Sequence, residues 1–523
     1  MPWRTLVLLL ITAWPACGVS AEPACAPDQV LVRFNNHLDL HEARAALGMK
    51  GLAVERALCP RLDIYLVRLG PGRDVAHVLE QLGAHPALSW AQADHLVAER
   101  LLPDDGEFPL QWNLQQLSDA DVDAPEAWDL GTGGLDALGR QIVVAVVDGG
   151  LELSHPDLSP NVWINPGEIA GNLFDDDEDG FVDDVNGWDA YNNDGTLPSN
   201  GHGTHVAGIV GARGNNLNQV AGVNWGVGLM SVAGSSSLTS VVGIAYNFVL
   251  EQKSLWLESG GENGANVVST NSSFGVNFGN CSSGDYPIWN DLYNAMGQVG
   301  ILSAAATMNT NANVDIQGDV PTSCNSPWLV TVTNTTQTDV RNASAAWGPT
   351  TIDLGAPGTQ VRSTYLSGST APLTGTSMAS PHVAGAVALL HSVLSDSLFA
   401  LVQADPAAGA LVIKELILAN VDSLADLTNM VVSHGRLNLH KAALAAAAWP
   451  PPLSIALSVV RQPDARIRLE WTALAGASAY YVERQEACGA AWVRIATLAA
   501  PGWTSEPQPP AAQSCYRVIA ELP

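Results

Sequence analysis

An aspartate, a histidine and a serine stand in three separate glycine-rich segments of this chain. Asp148 follows an apolar run, His202 lies within Asn-Gly-His-Gly-Thr-His, and Ser377 lies within Gly-Thr-Ser-Met-Ala-Ser-Pro. A serine hydroxyl is a weak nucleophile at neutral pH, so acyl transfer needs an imidazole to take its proton and a carboxylate to fix the tautomer of that imidazole. The three residue types therefore indicate nucleophilic acyl transfer.

Ser377 opens a stretch of small residues that predicts a helix. Pro381 is expected to fit there only because the first helical N–H groups lack intrahelical acceptors. The hydroxyl should then lie near a helix N-terminus, whose partial positive charge and free N–H groups favour an oxyanion. The esterase motif Gly-x-Ser-x-Gly is not met, since Ala379 replaces its second glycine. An exported esterase or lipase is therefore disfavoured.

The chain order of the three groups, Asp then His then Ser, is that of subtilisin. With their neighbouring residues, the three segments resemble the subtilisin-like (subtilase) family, and further likeness covers 111–114, 123–128 and 353–358. The resemblance spans residues 108–447 and implies a sheet-centred fold with endopeptidase activity on peptide bonds.

The resemblance also implies a role for each of the three groups. Asp148 would orient the imidazole, His202 would act as general base, and Ser377 would be the nucleophile that forms an acyl-enzyme. Gly149 departs from the serine or threonine that usually follows the aspartate in this family, although the carboxylate itself is unchanged. A catalytically silent binding or scaffold protein of the same family is the rival interpretation.

The oxyanion donor is where the sequence departs furthest from the family pattern, which has an asparagine after Ala-Ala-Gly. Aligning the alanine pair 305–306 places Met308 at the asparagine position. A shift of one residue lets Asn309 donate instead, whereas Asn311 is a poorer candidate. Losing such a donor costs roughly 10²- to 10³-fold in turnover, so Met308 also motivates the silent alternative. We take Asn309 as the candidate donor.

The segment 271–275 resembles the family's strand that lies against substrate. An extended peptide would pair with it through backbone hydrogen bonds, leaving pockets to read side chains. Ser273 and Gly275 are therefore the candidate substrate-binding residues. An ordinary core strand and turn is the alternative.

Alternating carboxylates surround Gly180, as oxygen-rich calcium loops require. Such crowding of negative charge is unfavourable unless a cation offsets it. No EF-hand is predicted, because Asn186 stands where that motif has glutamate and no flanking helices are evident. A solvated acidic loop is the alternative. The candidate ligands of a structural Ca²⁺ ion are Asp175, Asp177, Asp179 and Asp183.

The patterning of the chain predicts four regions. An apolar run followed by small residues indicates a signal peptide over 1–21. Alternating strand-like and helix-like runs predict an α+β unit over 22–104, which the family resemblance makes an inhibitory propeptide that is removed autocatalytically. Region 105–448 is expected to be α/β, a mostly parallel subtilisin-like sheet with helices on both faces. Residues 453–523 predict a small C-terminal β-sandwich that resembles fibronectin type III domains.

Composition limits the partners and the location of the protein. The chain has 523 residues and a net charge of −29, so its surface should repel nucleic acid and anionic membranes. No run after the signal segment is long and apolar enough to cross a bilayer. We expect a secreted, extracellular monomer that acts on polypeptide substrates and carries its own propeptide as intramolecular inhibitor, with the periplasm as the alternative location.

Removal of the signal peptide would leave six of the seven cysteines, an even number that permits disulfides in an exported chain. Pairing cannot be read from sequence alone. Because two cysteines fall in each of the remaining regions, the simplest hypothesis pairs Cys25 with Cys59, Cys281 with Cys324 and Cys488 with Cys515.

Overall fold

The computed structural model describes residues 25–48, 51–70, 72–83, 85–95, 101–235 and 238–450, together with six strand segments between 457 and 521. The predicted signal peptide over 1–21 lies outside these residues. Two compact units are present, one formed by 100–453 and the other by 1–99 and 454–523.

The N-terminal region contains one antiparallel sheet and two helices. Its elements are β1 (Cys25–Phe34), α1 (Leu40–Leu47), β2 (Leu52–Cys59), β3 (Ile64–Leu69), α2 (Val75–Gly83) and β4 (Leu88–His95). The strand order is β2-β3-β1-β4. Alternate residues of β1, Val30 and Val32, are buried together with Val78 and Leu82 of α2. The α+β organisation predicted for this region is confirmed.

Cys25 and Cys59 are both unpaired, so the predicted bond between them is wrong in this structure. Strand β3 separates the two strands that carry them, and Cys59 is the register partner of Ile64, which also faces Arg33. Cys25 lies eight residues from Arg33 along β1, about 26 Å at the rise of a strand, whereas a disulfide needs Cα atoms within about 7 Å. The predicted pair Cys281–Cys324 is formed, and Cys488 lies outside the described residues.

A nine-stranded sheet forms the centre of the larger unit. The strands of this unit are β5 (Val143–Asp148), β6 (Gly187–Asp189), β7 (Gly228–Ala233), β8 (Val267–Ser272), β9 (Val276–Asn277), β10 (Leu302–Ala306), β11 (Asp319–Val320), β12 (Leu329–Thr335), β13 (Leu354–Pro357), β14 (Val361–Tyr365), β15 (Ser369–Leu373), β16 (Asp422–Ser423) and β17 (Gly435–Arg436). The central order is β16-β17-β13-β12-β10-β8-β5-β7-β6. Every neighbouring pair is parallel except β16 and β17.

Helices cover both faces of this sheet. They are α3 (Ala124–Trp128), α4 (Gly201–Gly211), α5 (Thr239–Glu258), α6 (Pro287–Gln298), α7 (Val314–Gln317), α8 (Thr376–Ser392), α9 (Asp396–Ala404), α10 (Pro406–Ala419) and α11 (Leu439–Ala447). Successive residues of β5 enter opposite cores: Val144 and Val146 join the core that contains α4 and α8, while Ala145 and Val147 join the core that contains α5 and α6. The predicted α/β sheet with two helical layers is confirmed.

The parallel strands bring several loops to one edge. Asp148 ends β5, residue 273 follows β8, and residue 307 follows β10, and these three strands are neighbours in the order β10-β8-β5. Because ligands of open α/β sheets bind beyond the carboxyl ends of the strands, this edge is where a site is expected.

The C-terminal segments form two antiparallel sheets of three strands each. One has the order β18-β19-β22 and the other β21-β20-β23, where these strands are β18 (Leu457–Arg461), β19 (Ile467–Trp471), β20 (Ala479–Gln485), β21 (Val493–Leu498), β22 (Trp503–Thr504) and β23 (Cys515–Glu521). The likeness to fibronectin type III domains stays a prediction.

Among the described residues, no single helix is both long and apolar enough to cross a membrane. The bent pair of α8 and α9 meets that test by length and composition only.

Candidate active site

The carboxylate of Asp148 contacts the imidazole of His202. Asp148 is the last residue of β5, and His202 lies in the first turn of α4. The Nδ1 atom of His202 lies 2.9 Å from Oδ2 and 3.0 Å from Oδ1 of Asp148. A carboxylate in this position favours the tautomer with the proton on Nδ1, which leaves Nε2 able to accept a proton as a general base.

Local sequence fixes this contact. The side-chain oxygen of Asn200 caps α4 by accepting from the N–H groups of His202 at 2.8 Å and Gly203 at 3.1 Å. A Cβ atom at Gly203 would lie 3.1 Å from Oδ1 of Asp148. A Cβ atom at Gly149 would lie 2.6 Å from Nδ2 of Asn200. The capping asparagine therefore lies against the space that a side chain at position 149 would occupy.

The environment of His202 raises its basicity. Burial disfavours the imidazolium, but the hydrogen bond and the negative charge of Asp148 outweigh burial and raise the pKa of His202 above its ordinary 6.5. The His202 side chain is 40% exposed, whereas that of Asp148 is 4% exposed. The imidazole thus has a buried carboxylate on one side and an accessible edge for a reacting group.

Ser377 is the second residue of α8. Its hydroxyl donates to the carbonyl oxygen of Ser273 at 3.4 Å. No hydrogen bond joins His202 to Ser377 within the described part of the chain, and catalytic hydrogen bonds of this kind are often loose in free enzymes. Helices α4 and α8 pack against each other. The structure joins Asp148 to His202 directly and joins Ser377 to the segment after β8.

Pro381 lies deeper in α8 than expected. It is the sixth residue of that helix, so a normal residue there would donate its N–H to the carbonyl of Ser377. In the structure the hydroxyl of Ser273 donates to the Ser377 carbonyl at 3.0 Å. The explanation from free N–H groups in the first turn is therefore wrong, because a side chain from another segment replaces the donor that the proline lacks.

The side chain of Asn309 lies at the start of α8. Its Oδ1 atom accepts from the backbone N–H of Thr376 at 2.9 Å and from the Thr376 hydroxyl at 3.2 Å. Because a backbone N–H can only donate, the amide oxygen must face Thr376, and Nδ2 remains as a donor for another group. Met308 instead is buried in an apolar cluster with Val314 and Ile352. Asn309 rather than Met308 therefore lies beside the start of α8, and its role as oxyanion donor stays a prediction.

The candidate substrate segment follows β8 directly. Ser273 is half-buried and exchanges hydrogen bonds with Ser377, while Gly275 is exposed. A Cβ atom at Gly275 would lie 2.0 Å from the carbonyl oxygen of Val320. Position 275 therefore requires glycine, because β11 approaches its backbone closely. The segment therefore contacts both the nucleophile's helix and β11, and its contact with substrate stays a prediction.

The acidic loop brings carboxylates together in two overlapping groups. One contains Glu168, Asp175 and Asp177, and the other contains Asp177, Asp179 and Asp184, each with oxygen atoms within 4.8 Å of one another. Burial, followed by the charges of neighbouring carboxylates, raises the pKa of Asp179 to about 7 and that of Asp184 to about 8. The sequence therefore placed three of four candidate ligands in these groups and missed Glu168 and Asp184.

Asp183, the fourth candidate ligand, bonds to backbone N–H groups, and its role as a ligand stays a prediction. Its carboxylate accepts hydrogen bonds from the backbone N–H groups of Gly171 at 2.7 Å, Asn172 at 3.2 Å and Leu173 at 3.0 Å. Among the described residues it belongs to neither carboxylate group. The adjacent Asp184 is the one buried beside Gln252, whose Nε2 donates to it at 2.7 Å.

Comparison with known families decides what kind of chain this is. The subtilase family profile matches residues 139–433, which is more than half of the chain. The chain belongs to the subtilase family. A second profile, the fervidolysin N-terminal prodomain, matches residues 19–94 of this subtilase.

Curated relatives agree with that membership. The subtilase is 32% identical over 55% of its length to thermitase from Thermoactinomyces vulgaris, of which it covers 85%. It is 31% identical over 68% of its length to an extracellular protease from Xanthomonas campestris pv. campestris, of which it covers 60%. A solved protease structure from Pseudoalteromonas arctica aligns at 26% identity with a TM-score of 0.49, covering 66% of this chain and 99% of that one.

Sequence reasoning missed two residues that position the site of this subtilase. Asn200 holds the start of α4, and Thr376 fixes the orientation of the Asn309 amide. An asparagine just before a helix is a recognised capping signal, so Asn200 could have been found. Thr376 could not, because its partner lies 67 residues away in sequence.

Proposed function

We propose that this subtilase is a secreted serine endopeptidase that hydrolyses peptide bonds of polypeptides through an acyl-enzyme on Ser377. The observation that carries the proposal is the hydrogen bond of 2.9 Å between His202 Nδ1 and the buried carboxylate of Asp148. This pair lies at the same edge of the sheet as the start of α8, where Ser377 stands. A relative named as an extracellular protease supports secretion, and the location outside the cell rather than in the periplasm is part of the proposal.

The reaction follows from the roles of the three groups. His202 Nε2 takes the proton of the Ser377 hydroxyl as its oxygen bonds to the carbonyl carbon of the substrate. The imidazolium, held by Asp148, then gives that proton to the leaving amine. Water enters, loses a proton to the same imidazole and cleaves the ester on Ser377. Asp148 stays ionised throughout and stabilises the charged imidazole.

Asn309 is the proposed side-chain donor to the tetrahedral oxyanion. Its oxygen is occupied by Thr376, so the amide is held in the orientation that offers Nδ2 near the serine. The N–H groups at the beginning of α8 add positive potential at the same place. The Asn309 amide and these N–H groups would both stabilise the negative charge on the oxyanion. Because that charge develops only in the transition state, its stabilisation accelerates the reaction.

The substrate is proposed to lie along 273–275, with Ser273 and Gly275 in contact with it. Residues in this segment are not assigned to a strand, although β8 precedes them and β9 follows. An extended peptide can pair with such a segment through backbone hydrogen bonds that do not depend on sequence.

The N-terminal region is proposed to be the inhibitory propeptide, over 22–104, of a catalytic domain over 105–448. The prodomain match at 19–94 supports this division. We further propose that the mature enzyme is a monomer and that 453–523 is an accessory β-sandwich.

A structural Ca²⁺ ion fits the acidic loop. Oδ1 of Asp177 and Oε1 of Gln252 are buried and unpartnered among the described residues, and the carboxylates of Asp179 and Asp184 lie beside them. These hard oxygen donors suit calcium. When bound, the ion would neutralise the crowded charge and hold the loop, and Glu168 and Asp175 could hold a second cation or share this one.

Peptidase assays on the mature protein test the proposed function. We expect the wild type to cleave unfolded protein chains internally and the Ser377→Ala variant to be inactive, because the nucleophile is absent. A Ser392→Ala variant on the same helix is the matched control and should keep activity. If folded wild type cleaves ester substrates but no peptide, the enzyme is an esterase; if it cleaves neither, the silent alternative holds.

A further inference from the structure

A buried carboxylate near the start of α8 takes no part in the acyl-transfer chemistry. Asp319, the first residue of β11, is 2% exposed. Its Oδ2 atom accepts hydrogen bonds from the Thr307 hydroxyl at 3.0 Å, the Met308 N–H at 2.9 Å and the Thr322 hydroxyl at 2.7 Å. All three donors are neutral, so the carboxylate is fixed in place without its charge being cancelled.

The other carboxylate oxygen of Asp319 has no such partner. Within the described residues, Oδ1 accepts no hydrogen bond and no cation pairs with Asp319. Burial raises the pKa of Asp319 to about 6, which still leaves the group mostly ionised at neutral pH. A buried carboxylate without a paired cation is stabilised when a bound ligand supplies one.

Asp319 lies between the two segments that reach the nucleophile. On one side, 273–275 contacts Ser377 and continues into β9, whose Asn277 is the register partner of Asp319. On the other side, 307–309 contacts Thr376 through the Thr307 carbonyl and the Asn309 amide, and Asp319 binds this segment directly. Asp319 therefore lies between the proposed substrate segment and the segment that carries the proposed oxyanion donor.

We propose that Asp319 makes this enzyme prefer peptide bonds that follow lysine or arginine, an inference that rests on the proposed function. A peptide paired with 273–275 would present its scissile carbonyl to Ser377 and place the side chain just before that carbonyl between this segment and 307–309, beside Asp319. An ammonium or guanidinium group there supplies the cation that Asp319 lacks. A neutral side chain leaves the carboxylate unpaired, and an acidic one adds repulsion.

A peptide series that differs only at the residue before the cleaved bond tests this preference. With lysine, arginine, glutamine, leucine and glutamate at that position, we expect kcat/KM for lysine and arginine to exceed the value for glutamine by roughly 10- to 100-fold, the range of a hydrogen bond to a charged group. Asp319→Asn should bring the ratio of kcat/KM between the lysine and glutamine peptides close to one, because the amide keeps the shape of the side chain but removes its charge.

Asp121→Asn is the matched control. Asp121 is 4% exposed, is held by neutral backbone N–H groups of Gln116 and Asp123, and has its pKa raised to about 6 mainly by burial. It thus matches Asp319 in burial and charge but binds none of the segments beside Ser377. The Asp121→Asn variant should keep the preference for lysine and arginine. If this variant loses the preference, the assignment to Asp319 is overturned.

The outcomes separate this inference from the proposed function. If the wild type hydrolyses no peptide, the proposed function fails; if it hydrolyses the glutamine peptide as fast as the lysine peptide, only the role of Asp319 fails. Should Asp319→Asn not fold, peptide aldehydes that end in arginine or leucine can be compared on the wild type. The arginine aldehyde must inhibit at least roughly tenfold more tightly, and equal inhibition overturns the inference.

Discussion

At the scale of single residues, Asn309 is the proposed side-chain donor to the oxyanion that forms at the reacting carbonyl. Its amide is oriented by Thr376 at 2.9 Å. We expect Asn309→Ala to lower kcat by roughly 10²- to 10³-fold with little change in KM, because the lost bond forms only in the transition state. Asn311→Ala is the control and should keep most activity, since Asn311 bonds to Arg341 instead. Equal kinetics for the two variants would remove Asn309 from the mechanism.

The protonation of His202 should set the acid limit of activity. Its pKa is raised above 6.5, and only the neutral imidazole can take the serine proton, so kcat/KM should fall as pH decreases through that raised pKa. Asp148→Asn should shift this limb to lower pH and reduce kcat by about 10⁴-fold. A pH series of kcat/KM measures both effects. A profile that does not change below pH 6.5 would contradict the assignment of His202 as base.

Much of the site could be predicted from residue types and order alone. The pair Asp148 and His202 is in contact, as the glycine-flanked segments indicated. The hydrogen bond from Ser273 that compensates for Pro381 could not be predicted, because it joins residues 104 positions apart. The burial of Met308 against α7 and its neighbours could not be predicted either, because it depends on tertiary packing.

At the scale of elements, the acidic loop between Asn165 and Asp184 should be held by calcium. Chelation is expected to lower the Tm by about 5 °C if the ion is present at a hundredfold excess over its Kd, and added calcium should restore it. Differential scanning calorimetry measures the change. An unchanged Tm in chelator would show that the loop is held by its hydrogen bonds alone.

Variants in this loop distinguish the metal ligand from its neighbour. Asp184→Asn should abolish the response of the Tm to calcium, because Asp184 belongs to a carboxylate group. Asp183→Asn should lower the Tm but keep the response of the Tm to calcium, because the Asp183 carboxylate accepts hydrogen bonds from backbone N–H groups. Alternating aspartates identified the loop from sequence, whereas the choice between these adjacent residues depends on which one the fold buries.

Strand order explains another limit of sequence reasoning. The buried strand Val143–Asp148 was evident from its continuous apolar run, since both faces of a parallel sheet are covered. The pairing of Cys25 with Cys59 seemed simple because both lie in one region. It fails because β3 lies between their strands and places them at opposite ends, an arrangement that local patterns do not specify.

At the scale of the whole molecule, the N-terminal region should remain attached when catalysis is removed. If processing is autocatalytic, the Ser377→Ala protein should accumulate as an uncut precursor, while wild type should lose the region up to about residue 104. Intact mass and N-terminal sequencing measure the two products. A Ser377→Ala protein cut at the same bond would assign processing to another protease.

The convergence of Asp148, His202 and Ser377 is tested most directly by a fluorophosphonate that reacts with activated serines. The wild type should take up one label per molecule, mapped to Ser377 by peptide mass, and should lose peptidase activity in proportion. His202→Ala should prevent labelling while the protein stays folded. Folded wild type that is not labelled at Ser377, or peptidase activity that survives full labelling there, would contradict the account.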